Sequence, residues 1–451
     1  MSENRFYRSF WLQADLRLTS PMMLGNGVND NSDNDLLIGA DGNPFIPGTS
    51  LAGVIKAGMK DNTCIDSKHM DLLMGKEGDD SRQSMVILHD SFLKERKQNV
   101  EVVVRDGIEI NEYTKTAKNK SKYDFEVLNP GVVFGFRMEI LVRERFKELP
   151  VLQFVRDFVA FAESGDFRVG AKTNRGYGQL AIENIKCYDV DFFNEKTWKT
   201  PMDAMKAYIA FDWSQLKTWE AFMMEKNLEE ELLPEISYRY PYTSIMVPLA
   251  VENTLLIRNY FLSNLDVDCE QLMIGDKAVI PGSAWAGCFR HKVKEFLEEL
   301  SNKAIAKNMT KEIFGAEKDY DVPARSRIVF MESEECGKEK TNTKNVTRNK
   351  IDRFTGGVLK TALFSERIAV GGTYQLEVRL EDAKDYEVGL LLLAVQEIRH
   401  GLMAVGGTTS VGRGAFESNG EITINSEKLS DEKMQEYYKA LQDELKGRMG
   451  D

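Results

Sequence analysis

The residues best placed to do chemistry are two glycine-rich strings. RVGAKTNRGYGQL carries Gly170, Gly176 and Gly178, and AVGGTTSVGRGAF carries Gly406, Gly407, Gly412 and Gly414. Glycine has no Cβ, so its backbone N–H groups can come close to a phosphate oxygen. Lys172, Arg175 and Arg413 stand inside these strings and would add charge-assisted contacts to an anion. A tight left-handed connection holding no ligand is the competing reading. A dinucleotide fingerprint is excluded by order, because it follows a strand and opens a helix, whereas both strings follow a helical pattern and precede a strand. Two other places suit anions: Pro47-Gly48-Thr49-Ser50 and Pro281-Gly282-Ser283 each open a helical stripe, and the N–H groups of a helix N-terminus attract negative charge. Capping by Thr49, Ser50 or Ser283 accounts for the same residues. Lys56, Arg290 and His291 follow on these helices as further anion-binding candidates, against a solvated helix face.

Other chemistries are poorly supplied. The four histidines, His69, His89, His291 and His400, show no helical metal spacing, and the five cysteines form no CxxC pair, which argues against a zinc site or a disulfide framework and fits a reducing cytoplasm. The N-terminus has no segment of signal-peptide type, and the longest apolar run, Val388 to Val395, is too short to span a bilayer. A net charge of −12 argues against a nucleic-acid partner until its distribution is considered. Lys94 to Lys122 holds eight Lys/Arg against five acids, and Lys338 to Lys360 holds seven against two. Such stretches suit a phosphate backbone, although a solvated charge run is the simpler reading of either alone.

These features recur in order, so the chain is read as an internal duplication. Leu36 to Lys56 answers to Leu272 to Lys292, the stretch from Val104 to that from Val346, and the two glycine strings to each other. Phe10, Leu12, Ala14, Leu16 and Leu18 alternate with Gln13, Asp15 and Arg17, the period of a half-buried strand. A helical stripe of Leu51, Val54, Ile55 and Met59 follows, then a strand over Val132 to Val142, a helix over Val151 to Ala162 and a last strand near Gln179 to Ile182. The second half repeats this with strands near Ile245 to Val251 and Tyr374 to Leu380 and helices from Ser283 and near Val388 to Leu402. The expectation is an α+β chain of two tandem ferredoxin-like (RRM-like) domains with insertions, 1–188 and 241–425, joined by a linker or helical insertion, 189–240, and closed by a helix, 426–451.

NPFIPGTSLAGVIK and AVIPGSAWAGCFRHK, then IDRFTGGVLKTALFSERIAVGGTYQLEV with its Arg353, then the glycine strings, resemble the RAMP superfamily. In particular they resemble Cas-seven type backbone subunits of type III CRISPR effector complexes. The middle motif is degenerate in the first half, Ile110 to Phe136. The resemblance implies binding of a CRISPR guide RNA, pairing of the guide with a target RNA, and assembly with other RAMP subunits and a large polymerase-like Cas subunit. It also implies a catalytic aspartate in a pattern like D-x-P-L-L-x-x-x-x-G-x-P, which falls on Asp33, with Asp35 where the family has proline. In the second half the Leu-Leu match falls on Cys269, with Asp268 adjacent and Asp266 close, and a one-residue slip restores an aspartate.

An aspartate is ionised at neutral pH and is a poor general base, so Asp33 would hold a divalent cation, Mg or Mn, or orient the 2′-hydroxyl for in-line attack. A flexible polar loop is the competing reading of Asn29 to Asp35. The two basic, aromatic-bearing segments would form hairpins laid across the guide–target duplex. The readings carried forward are a backbone subunit that is a metal-dependent endoribonuclease within the complex, a non-catalytic guide-binding subunit, and a guide-processing endoribonuclease relying on histidine or a Lys/Tyr cluster.

Overall fold

The computed structural model describes residues 5–27, 32–95, 100, 102–111, 114, 116–193, 200–228, 235–261, 266–316, 324–337 and 340–450. Asn29, Asp30 and Asn31 of the polar run, Arg96, Lys97, Glu101, Glu112 and Lys115 of the first basic stretch, Lys338 and Glu339 of the second, and Pro234 lie outside them. The chain forms two compact units: Met1–Val103, Glu126–Ala171 and Gly178–Tyr240 make one, and Val104–Phe125, Lys172–Tyr177 and Pro241–Asp451 make the other.

In the first unit the alternation from Phe10 to Leu18 produces the central strand, Phe6–Leu18. It pairs antiparallel with Val133–Arg143 on one side, Leu12 opposite Met138, and with Leu180–Asp191 on the other, Leu12 opposite Cys187. Val86–Leu88 adds beyond Val133–Arg143. In chain order these four strands lie fourth, first, third, second across the sheet, the ferredoxin-like order. Helices Gly48–Met59 and Val151–Glu163 bury Leu51, Ile55, Met59, Phe154, Val155 and Phe158 against Phe10, Leu12, Phe134 and Phe136. Burial is worth about 1.5–3 kcal/mol for each such side chain.

The segment after the last strand covers the opposite face. Helix Pro201–Ile209 contributes Ala204 to a small core with Trp11, Val190 and Phe192, and Phe211 stacks on Trp11 at 4.1 Å between ring centroids. The buried carboxyl of Asp189 is opposed by desolvation, but Arg8 at 2.6 Å and Lys226 at 3.1 Å hold it below the usual carboxylate range.

The second unit repeats the plan. Tyr242–Val251 is central, between Thr373–Glu381 and the pieces Phe416–Ser418 and Thr423–Ile424, with Ile328–Phe330 outermost. Helices Gly282–Leu300 and Asp385–Arg399 cover one face, and the closing helix Asp431–Met449 lies so close to the latter that a Cβ on Gly389 would fall 2.4 Å from the carbonyl of Tyr437. A long hairpin, Thr343–Ile351 with Val358–Val370, pairs through its base with Thr254–Leu255 and Cys269–Gln271.

Candidate functional site

The two glycine strings adopt one conformation. Gly170 and Gly406 have φ of 97° and 103°, Gly176 and Gly412 80° and 82°, Gly178 and Gly414 74° and 70°, and between them Lys172 and Thr408 are left-handed at 59° and 55°. Part of the glycine requirement is structural. A Cβ on Gly178 or Gly414 would lie 1.9 Å from the carbonyl oxygen of Val169 or Val405, and one on Gly170 or Gly406 would press on Met23 or Leu256. The Gly176 position meets the backbone of Phe330, Met331 and Glu332 at 2.8–2.9 Å, whereas Gly412 is exposed with nothing within 4 Å. Gly412→Ala therefore incurs only the left-handed penalty, about 1 kcal/mol, in a urea unfolding measurement.

The helix N-termini differ from the sequence expectation. Pro47 and Pro281 are the N-cap residues and neither forms a side-chain cap, so Thr49, Ser50 and Ser283 lie within the first turns. The amide of Gly48 donates to Asp90 Oδ1 at 2.8 Å, which places a carboxylate where an anion was expected. Gly282 is packed beneath the carbonyls of Phe330 and Arg175, which a Cβ would meet at 2.1 and 2.4 Å. Lys56 donates to the carbonyl of Gly75, and Arg290 to those of Phe314 and Gly315, in each half the glycine that closes the following helix. This repeated internal duty occupies both cations. His291 is half-buried on the same helix as Arg290.

Backbone hydrogen bonds decide the register between the halves. Leu37 donates to the carbonyl of Leu24 and Leu272 to that of Ile257, while Gly25 bridges Leu36 as Arg258 pairs with Gln271. Leu36 thus answers to Gln271, and Asp33 to Asp268, one residue before the Cys269 given by the Leu-Leu match. Cys269 is buried, and burial together with neighbouring Glu366 pushes its thiol up, which makes it a poor nucleophile. Asp33 and Asp268 are both exposed. Beside Asp33, Glu126 donates its amide to the Asn34 carbonyl and accepts the Leu36 amide at 2.9 Å. Asp35, in place of the family's proline, is buried and accepts from the amide and hydroxyl of Ser32. Asp268 exchanges two bonds with Ser365, N–H to carbonyl and carboxylate from amide, each 2.8 Å. Asp266 is exposed two residues earlier.

Next to Asp268 the second unit gathers charge, part of it from Arg258, which lies in no motif. Cys269 stands opposite Glu366, whose buried Oε2 accepts from Arg413 at 2.5 Å and Arg348 at 2.6 Å, with Arg258 4.0 Å from Oε1. Gly407 leaves room for Arg258, whose side chain a Cβ there would meet at 3.0 Å. At the far end of the hairpin, Asp352 accepts the amides of Phe354 and Thr355, which hold its carboxyl below the ordinary range and fix a turn that presents exposed Arg353 and wholly exposed Phe354.

The same unit contains the first half's hairpin tip and glycine-string tip. Arg105 forms a buried pair with Glu332 at 2.5 Å and reaches the hydroxyl of Tyr177. Lys172 lies over Phe125 with its Nζ 3.1 Å from the ring centroid and bonds Tyr123 Oη at 3.1 Å. Burial, with Arg175 and Arg105 nearby, lowers its pKa to about 7. Arg175 is exposed.

Among the described residues no group of three or more His, Cys, Asp or Glu could hold a metal ion.

Each half thus carries a ferredoxin-like sheet, a glycine loop and an exposed aspartate at one register. The RAMP superfamily matches residues 15–181 and 255–417, well over half of the sequence, and the chain belongs to it as a CRISPR-associated RNA-binding module. A search of curated proteins finds no match. Among the described residues no helix is long and apolar enough to cross a membrane.

Proposed function

We propose that this chain is a guide-RNA-binding backbone subunit of a type III CRISPR effector complex, two Cas-seven type modules in one polypeptide, that cleaves guide-paired target RNA at Asp33 and Asp268. The observation that carries this reading is the hydrogen-bond register that puts an exposed aspartate at the same place in both halves. A carboxylate there can accept a hydrogen bond from the 2′-hydroxyl and hold it for in-line attack on the adjoining phosphodiester, which forms a 2′,3′-cyclic phosphate as the P–O5′ bond breaks, the 2′-proton passing to water and the 5′-oxygen taking a proton from water. Base pairing supplies sequence choice, and the hairpin with Arg353 and Phe354 meets the duplex without reading it. A divalent cation, Mg or Mn, would need most of its oxygen ligands from RNA and water, and no step here depends on it.

Assembly with other RAMP subunits has its own support. The tip Lys172–Tyr177 seats Gly176 on Phe330 to Glu332 and the Arg175 carbonyl over Gly282. At the corresponding tip a Cβ on Gly412 would have nothing within 4 Å, and in the first unit the side chains of Ile87 and Phe92 are exposed. A neighbouring RAMP module suits these open positions, with the large polymerase-like Cas subunit as a further partner of the assembly.

The Lys172–Tyr123 pair favours one other reading, a guide-processing endoribonuclease, because a lysine poised near neutrality can exchange a proton. Incubating the isolated protein with repeat RNA separates the two. No specific cutting is expected, and accurate repeat cleavage would replace the proposed function with this one. Lys172 also gives binding a pH dependence. Its charge is present below about pH 7 and lost above it, so RNA affinity measured by fluorescence anisotropy falls from about pH 6 to pH 8, and Lys172→Arg, which stays charged, flattens that fall.

A further inference from the structure

We infer that the second half holds a phosphodiester-binding site, absent from the first half, in which Arg258 and Arg348 grip RNA from their seats on Glu366. The inference rests on the RNA-binding reading and adds that the two halves contact RNA unequally.

Three guanidinium groups converge on one carboxylate. Arg413 is enclosed, its side chain 7% exposed, and together with Glu366 forms a closed pair that also bonds Thr408 Oγ1. Arg258 and Arg348 remain 41% and 38% exposed. Against these three guanidinium groups stand Glu366 and Asp268, which accepts the amide of Ser365, while Glu270 faces Arg367, so the cluster keeps one net positive charge beside the glycine string. Arg348 Nε is shielded and has no hydrogen-bond partner, and Arg258 lies 4.0 Å from Glu366, so the carboxylate leaves guanidinium donors unused. An anion with several acceptor oxygens fits this deficit, and a planar guanidinium suits phosphate geometry.

At the positions of Arg258 and Arg413 the first half carries no cation. Gly25 answers to Arg258, because Gly25–Leu36 and Arg258–Gln271 are the same bridge. Tyr177 answers to Arg413, one residue before the glycine whose amide bonds Pro21 in one half and Thr254 in the other. Phe125 answers to Glu366, because Met22–Leu128 and Leu255–Ala369 are the same antiparallel pair, so the first half has no carboxylate at the anchoring position.

The test uses the full chain and a fluorescein-labelled single-stranded oligoribonucleotide, with affinity followed against salt. Each lost phosphate contact lowers the slope of log affinity against log salt by about 0.7. Arg258→Ala/Arg348→Ala should bind at least about tenfold more weakly at low salt, with a slope smaller by about 1.4. Arg258→Lys keeps the charge and should keep the slope, which a folding defect would not do. Lys428→Ala, which removes an exposed cation paired to Glu421, should leave both quantities unchanged. Wild-type affinity and slope in the double variant would overturn the inference and leave the RNA-binding reading intact. Failure of the unmutated chain to bind the oligonucleotide would overturn that reading itself.

Discussion

On the proposed function, Asp33→Ala/Asp268→Ala should abolish cleavage of guide-paired target RNA by the assembled complex while leaving guide RNA bound. Each single substitution removes one cut and spares the other. The expectation follows from geometry, since both aspartates are exposed at the same register. Loss of the group that positions the 2′-hydroxyl costs about 10²-fold in rate, so each affected cut falls sharply in an ordinary time course. Asp268 engages Ser365, so its alanine variant also loosens the base of the hairpin, and Asp268→Asn, which can keep that hydrogen bond, separates the two effects. Full cleavage by the double variant, sequenced at both positions, removes these residues from the mechanism and leaves a guide-binding scaffold.

The second large effect concerns stability. Arg105→Ala destabilises the second unit by about 3–5 kcal/mol, because it leaves Glu332 charged, buried and unpaired. Burial works against the guanidinium's charge, but Glu332 and Tyr177 outweigh it, so the arginine's proton is held more tightly than in water. Arg105→Ala/Glu332→Gln removes both charges and should recover much of the loss, which paired urea unfolding curves measure. A single substitution costing less than about 1 kcal/mol would show that the pair is solvated.

Much of this architecture was legible because each half states its periods strongly. The Phe10 to Leu18 alternation and the stripe from Val151 to Ala162 became a strand and a helix close to their expected bounds. The last strand of the first half ran well past Ile182, to Asp191, because Val190 and Phe192 pack with Trp11 on the second face. What stayed hidden depends on distant partners. Asp90 lies 42 residues from the Gly48 amide it occupies, and Lys56 and Arg290 read as free cations until the glycine carbonyls they cap come into view. The Leu-Leu run admits two alignments one residue apart, and only backbone pairing chooses Asp268 over Cys269. Arg258 sits in no motif and gains meaning only from Glu366, more than a hundred residues later. Nor could periodicity show that Val104–Phe125 and Lys172–Tyr177 pack with the second unit.

Ultraviolet crosslinking of the complex purified with its own guide RNA, with the crosslinked peptides identified by mass spectrometry, tests the central claim most directly. The account predicts nucleotides attached within both glycine strings and along the Thr343–Val370 hairpin. Recovery of guide RNA with crosslinks only outside these segments, or of a complex carrying no RNA, would contradict it.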